Sequence, residues 1–420
     1  MARDASDLTI TAADGATARG YDAYVTEFLS YGARLRDLFA VADAAPDAPL
    51  INAHAAALHL AFEGAEGWTN ARPYLERMRA GSSASERERL FCAAVDAWAN
   101  KDFHWALGHL DELSVRWPAD LCAIKWAQYH AFNLGDQPAL LRLARRARIA
   151  HEGRPYAHGM IAFALEQNHD LDAAMAEGLR ACEIAIDDAW AHHAIAHVHE
   201  TRGHPEKGAR WMARCAHTWD AKGVFIRDHN WWHTALFHLN AGDDAGALAI
   251  FDERLWGAWP EFPQEQIGAV SMLWRLEMRG IDVGDRWAPV VSQARARADE
   301  HIFPFHDVHY LYALARAGEP GEADAMRNRI GAHAMALNGP AASTWKLALL
   351  PAADGAIAFA RGDLAAAAAA FAAAEPHLHL IGGSHAQRGL FQEARTFAAA
   401  QTSAHRPIDS HHSSTPLTRN

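Results

Sequence analysis

Apolar residues along this chain recur three and four positions apart and rarely alternate. After Gly242, for example, Ala245, Leu248, Ala249 and Phe251 share one helix face. β-Branched alternating runs do not occur, so the pattern predicts helices and no strands. Short polar breaks punctuate the helical segments: "NLGDQPAL" around Gly135, "QNHDLDAA" around His169, "TRGHPEKG" around Gly203 and "NAGDDAGA" around Gly242. They continue with "MRGIDVGD" around Gly280, "RAGEPGEA" around Gly318 and "ARGDLAAA" around Gly362. Successive intervals are 34, 34, 39, 38, 38 and 44 residues. A period near 34, with a glycine turn between two apolar-periodic segments, predicts tetratricopeptide-type helical hairpins. In each turn the glycine is expected to supply the left-handed residue that stops the first helix.

One hairpin cannot bury its own apolar face, so neighbours must stack. The expected fold is all-α: a TPR-like α-α superhelix of stacked helical hairpins, right-handed, with the first helix of each pair on the concave side. The widening intervals suggest that the last stretch closes over the groove instead of extending it. The chain divides into an N-terminal segment, 1–19, a repeat domain, 20–401, and a polar, proline-containing tail, 402–420, that reads as loosely ordered.

Composition narrows the class. At 420 residues the chain exceeds the roughly 250–300 that one compact core supports, which favours a repeat array. A 50% hydrophobic share supplies ample core, and a net charge of −12 argues against nucleic-acid phosphates as partners. The basic run "RLARRAR" at Arg142–Arg148 has the spacing of a solvated helix face. Cys92, Cys122, Cys182 and Cys215 form no C-x-x-C pair and sit in apolar helical patterns, as small core residues in a reducing compartment. The N-terminus has no apolar signal segment, and no run reaches the ~20 apolar residues of a membrane span; "LAAAAAAFAAAE" at Leu364–Glu375 is short and weakly hydrophobic. A cytoplasmic protein with no membrane partner is expected.

Histidine use is unusual. "DAWAHHAIAHVHE" carries His193, His197 and Glu200, spaced i, i+4, i+7 on one helix face. "RDHNWWHTALFHL" repeats the theme with His229 and His233. Counted back from the turns, His193 and Lys125 lie ten residues before theirs, His233 and His309 nine, and His54 ten before Gly64. Equivalent heights on stacked first helices predict one polar band on the concave wall. His193, His197, His229 and His233 together could bind zinc or another divalent transition metal, with Glu200 as ligand, histidine-orienting acceptor or general base. The same histidines can instead be hydrogen-bonded core residues, since the chain has 27 and lacks an H-E-x-x-H motif.

Further candidates surround them. Trp190 and Trp232 could wall a pocket or simply pack between hairpins, and Asn230, a poor helix former, implies a specific partner. Asp307 could orient an imidazole or stabilise a helix start. In "LIGGSHAQRGLF", Gly382 and Gly383 form a turn, Ser384 caps a helix and Arg388 lies one turn inside. Such an N-terminus could hold an anion or be an ordinary cap.

"SERERLFCAAVDAWANKDF", "DAWAHHAIAHVHE", "HNWWHTALFHL", "SMLWRLEMRGIDVGDRW", "HDVHYLYALA" and "GGSHAQRGLF" resemble, in order, the tetratricopeptide repeat protein 38 family, over roughly residues 20–400. The resemblance implies a TPR-like helical fold and leaves the activity open. It extends to His54, His193, His197, His199, His229, His233, His309, Glu200, Asn230, Trp190, Trp232, Asp307 and the Gly382–Arg388 run. His192, His204, His217 and His238 fall outside that pattern, and His306 stands where relatives have Asn.

Two functions remain open. One is a metal-assisted or acid–base enzyme, or a small-molecule-binding protein. Its concave pocket would take a small polar or anionic ligand; Glu200, His193, His233 and Asn230 would do the chemistry, and His54, Lys125, Trp190, Trp232, Asp307, His309, Ser384 and Arg388 would bind the ligand. The other is a scaffold holding a peptide or protein partner in its groove.

Overall fold

The recurring polar breaks work by a simple division of labour. In a computed structural model describing residues 2–12, 14–81 and 85–404, Gly135, Gly203, Gly242, Gly280 and Gly362 adopt positive φ and end a helix. Where an aspartate follows, it caps the next helix: Asp136 accepts from the Ala139 amide, Asp243 from Gly246 and Asp363 from Ala366. Glu63, Lys101 and His169 take the left-handed position without being glycine, at φ 66°, 60° and 61°. Gly318 departs from the expectation. Its φ is −82°, and Gly321, at 88°, supplies the left-handed residue instead.

The result is an all-α, TPR-like superhelix. Stacked pairs run from Pro49–Leu60 with Ala65–Ala80, through Glu86–Ala99 with Phe103–Arg116 and Leu121–Asn133 with Gln137–Ala150, to Ala157–Gln167 with Leu171–Ile184. They continue through Ala189–Thr201 with Pro205–Cys215, Val224–Asn240 with Asp244–Ile250, Pro263–Met278 with Trp287–Ala296, and Pro304–Ala317 with Glu322–Ala336. Leu350–Ala360 with Leu364–Ala374 follows, and His385–Ala404 ends the array. First helices pack on first helices along the series, as the repeat predicts. Close approach is built in: a Cβ on Gly208 would lie 2.3 Å from the Phe237 ring.

Strands were not expected, yet Ala2–Arg3 pairs antiparallel with Thr9–Ile10. Each is two residues long, too short to show as alternation. The segment Leu364–Ile381 has a mean hydropathy of 1.3 and, by length and composition alone, could cross a membrane. Here it bends from the helix Leu364–Ala374 into a 3₁₀ turn, and Phe371 is buried against its neighbours. Of the tail, 402–404 continue the last helix and 405–420 lie outside the described residues.

The coil closes on itself. Arg297 donates to Glu66 at 2.7 Å, Lys101 to the Glu300 carbonyl at 3.2 Å, and the Phe103 and Phe303 rings sit 5.0 Å apart. Both terminal helices fill the inner channel. Gly15–Ser30 packs on the first helix Leu121–Asn133, and His385–Ala404 packs on the first helices Ala189–Thr201 and Pro263–Met278. His385 reaches the Gln167 carbonyl at 3.1 Å. The expectation that the last stretch closes over the groove is met, and the first helix does the same from the other end.

Candidate functional site

Four imidazoles meet where Ala189–Thr201 lies against Val224–Asn240. The ring nitrogens offered by His193, His197, His229 and His233 all lie within 4.8 Å of one another. His193 Nε2 is 3.0 Å from His197 Nε2 and 3.1 Å from His229 Nε2. His233 stands 4.9 Å from His193 and 4.4 Å from His197, ring centre to ring centre. His193, His197 and His233 are buried, while His229 is partly exposed and forms the outward side of the cluster. The i, i+4 spacing aims each pair from one helix face, as the sequence predicts.

Two carboxylates back this cluster. Glu200 Oε2 lies 3.2 Å from His233 Nδ1, and Glu166 Oε2 lies 3.7 Å from His197 Nδ1. A carboxylate at Nδ1 keeps the proton there and leaves the Nε2 lone pair free. His233 Nε2 accordingly has no hydrogen-bond partner among the described residues, and neither does His193 Nδ1. Burial drives all four imidazoles below the ordinary histidine range, and neighbouring cationic groups push further; His233 falls to about 3. Burial also raises Glu166 to about 7, despite hydrogen bonds from Thr201 and Gln167. Glu200 rises to about 7, again by burial, with Arg275 opposing. Neutral imidazoles with ring nitrogens this close together are a donor set a transition-metal ion takes.

Glu166 is the residue sequence reasoning missed, although a signal was present. It lies three residues before the turn at His169, as Glu200 lies three before Gly203. The register alone is not sufficient: Glu277 lies three before Gly280 and spends its oxygens on Arg316 and Trp287.

The other candidates divide. Trp190 stands 4.5 Å from the His193 ring and stacks on Tyr31, and Trp232 stacks on His229 at 5.6 Å, so both wall the cluster. Asn230 donates to the Ala189 carbonyl at 3.2 Å, pinning the two helices together and not facing the imidazoles. The single polar band is not formed. His54 is enclosed by the Tyr21 and Tyr24 hydroxyls at 3.2 and 3.1 Å. The Lys125 ammonium donates to the Phe28 and Leu29 carbonyls, and His309 pairs with the Phe305 carbonyl at 2.7 Å. Equal height does not bring these residues together, because His54 and Lys125 are taken up by the terminal helix Gly15–Ser30 and His309 by a carbonyl of its own helix.

Asp307 does orient an imidazole, that of His301 at 2.7 Å, away from the four-histidine cluster. Ser384 accepts from the Gln387 amide at 3.2 Å while Gln387 accepts from the Ser384 amide at 2.9 Å, a capping box that uses the helix N-terminus internally. Arg388 donates to the Gly382 and Gly383 carbonyls, so its guanidinium holds the turn and is not a free anion anchor. His306, the doubtful ligand, pairs with Glu63 at 3.2 Å across the coil closure. His199 is half-buried, its Nδ1 has no hydrogen-bond partner among the described residues, and it is not one of the four clustered histidines. The four cysteines are free thiols.

Fold and geometry together define a TPR-like helical repeat protein with a buried four-histidine, two-carboxylate cluster. No family model matches the chain. Among solved structures it is similar to a Rap protein complexed with competence and sporulation factor, at 10% identity and a TM-score of 0.37, covering 85% of this chain and 99% of that one. It is also similar to the P58(IPK) TPR domain, at 13% identity and a TM-score of 0.22, covering 70% and 83%.

Proposed function

We propose that the four histidines hold a divalent transition-metal ion, and that the protein works on a small polar ligand reaching that ion from the His229 side. One observation carries this reading: one ring nitrogen from each of the four histidines converges within 4.8 Å while Glu200 and Glu166 stand at Nδ1 of two of the rings. Imidazole ligands at ~2.0–2.1 Å from a tetrahedral ion stand about 3.3 Å apart, close to the spacing between His193 and its neighbours. Two carboxylates offset the charge of a divalent ion and fix the tautomers. Four imidazoles complete a tetrahedral shell, so an ion with five or six positions, such as iron, manganese or nickel, is the better occupant for chemistry on a bound ligand. The motif resemblance to the tetratricopeptide repeat protein 38 family covers all four histidines and Glu200, and we extend membership of that family to this chain as part of the same proposal.

A peptide- or protein-binding scaffold is the second reading, supported by the repeat architecture. Its partner would have to dock outside the filled channel. The observation in its favour is an open cleft lined by Met278, Ile281, Tyr312, Phe359 and Phe397.

The test is elemental analysis of purified protein beside a His193→Ala/His233→Ala variant, both also after reconstitution with iron, manganese, nickel and zinc. The expected result is about one metal ion per chain in the wild type and a loss in the variant. Equal, negligible metal in both sinks the reading.

A further inference from the structure

His229 forms one side of a second feature. Its ring stacks on Phe225 at 5.7 Å and on Trp232 at 5.6 Å, nearly parallel to both. The ring also borders a small cleft, open to solvent, with a free volume of about 30 Å³. The walls are Phe225, Trp232 and Phe262, and the polar lining is Asp228, Gln264 and Glu265.

Two buried carboxylates in an aromatic cleft need an explanation. Glu265 is satisfied internally: its oxygens accept from the Gly257 and Trp259 amides at 2.7 and 2.6 Å. Asp228 is not. Its Oδ1 accepts from Arg227 Nε at 2.7 Å, while its Oδ2 is buried with no hydrogen-bond partner among the described residues. The residue is 8% exposed. A buried acceptor left empty is costly, more so when charged, so a missing donor is the natural reading.

The chemistry of that donor follows by elimination. An anion would meet two carboxylates. A neutral apolar ligand would leave Oδ2 stranded. A metal ion would find one free carboxylate oxygen and aromatic rings, which is too few ligands. A small organic cation fits: its N–H groups can donate to Asp228 Oδ2, and its charge lies against the ring faces.

We propose that this cleft binds a small organic ammonium group, with Asp228 as its hydrogen-bond acceptor and Phe225, Trp232 and Phe262 as its aromatic wall. Placed beside His229, the cleft makes an amine the anchoring group of the metal centre's ligand. That last step rests on the metal reading above; the cation site itself does not. The divalent ion does not repel the amine strongly, because Glu166 and Glu200 offset its charge.

The experiment is saturation-transfer NMR on the full chain with ethylammonium, ethanol and propionate as separate probes, and metal content measured on the same samples. Ethylammonium is expected to take up saturation and the other two not. Asp228→Asn should weaken that binding about tenfold, and Phe225→Leu, which leaves the carboxylate in place, should weaken it severalfold. Equal transfer to ethanol, or ethylammonium binding unchanged in the folded variants, overturns the proposal, as does no transfer to ethylammonium in the wild type. Amine binding without metal would sink the metal reading and leave the cleft standing; metal without amine binding would do the reverse.

Discussion

His233 turns its Nδ1 to Glu200 at 3.2 Å and leaves its Nε2 without a hydrogen-bond partner among the described residues, in a ring packed against three other imidazoles. The pairing fixes which nitrogen carries the proton. Glu200→Gln offers an amide whose NH₂ can present a donor to Nδ1 and unsettle the tautomer. It is expected to lower metal affinity about 10–100-fold with the fold intact. Competition with a chromophoric chelator measures this, and unchanged affinity would remove Glu200 from its orienting role.

Glu166 lies farther from its histidine, at 3.7 Å, and is held by Thr201 at 3.0 Å. Glu166→Gln should weaken the metal less than Glu200→Gln does in the same titration. A larger effect would show that Glu166 is a direct ligand.

His130 reports on acid stability away from the metal. Both its ring nitrogens are buried without a hydrogen-bond partner among the described residues, the ring lies edge-on to Trp98, and burial drives it from 6.5 to about 3. Unfolded, it binds a proton near pH 6.5; folded, it does not until about pH 3. Stability at this residue is therefore intact above pH 6.5 and falls as pH drops toward 3. Urea titrations should find His130→Phe gaining on the wild type across that window, with the gap constant above it. A gap that does not widen on acidification refutes the account.

Lys125 gives the same pH sense in a more alkaline window. Burial lowers its ammonium from 10.5 to about 7, with Asp188 opposing. Below pH 7 both states are protonated and the folded one bears the full penalty. Between 7 and about 10.5 the folded state has released its proton and the unfolded state has not, so stability rises with pH. Lys125→Met should thus show its largest relative advantage near neutrality and below, shrinking toward pH 10. Paired denaturant curves from pH 6 to 10 decide it.

Arg297 is 3% exposed and ties Glu66, Glu300 and the Glu261 carbonyl across the coil closure. Arg297→Ala leaves these acceptors without their donor and is expected to cost about 2–4 kcal/mol. Small-angle scattering should show a larger radius of gyration. A destabilised variant of unchanged size would mean that the closure holds without this residue.

The repeat was legible because its cause is local: a left-handed residue, then an aspartate cap, as at Gly242–Asp243 and Gly362–Asp363. The two histidine pairs and Glu200 were legible because helix periodicity fixes which side chains share a face. Height along a helix, however, says nothing about rotation or about what fills the channel. One residue is a turn of about 100°, and His54 meets Tyr21 and Tyr24 from a terminal helix that the repeat does not encode. Asp228 was illegible for a different reason. Its significance is one buried oxygen without a hydrogen-bond partner among the described residues, and a sequence has no mark for a missing donor.

Gln264 and His306 both reach Glu63, some two hundred residues away in the chain, and the final helix is bound to the middle of the array through His385. An ordinary row of hairpins melts inward from whichever terminus is weaker, losing one unit at a time. Here neither terminal helix, Gly15–Ser30 or His385–Ala404, stands apart from the array, so peeling from an edge is opposed. The hairpins should come apart as a single cooperative block, and trimming the last helix should loosen the whole ring instead of shortening a rod.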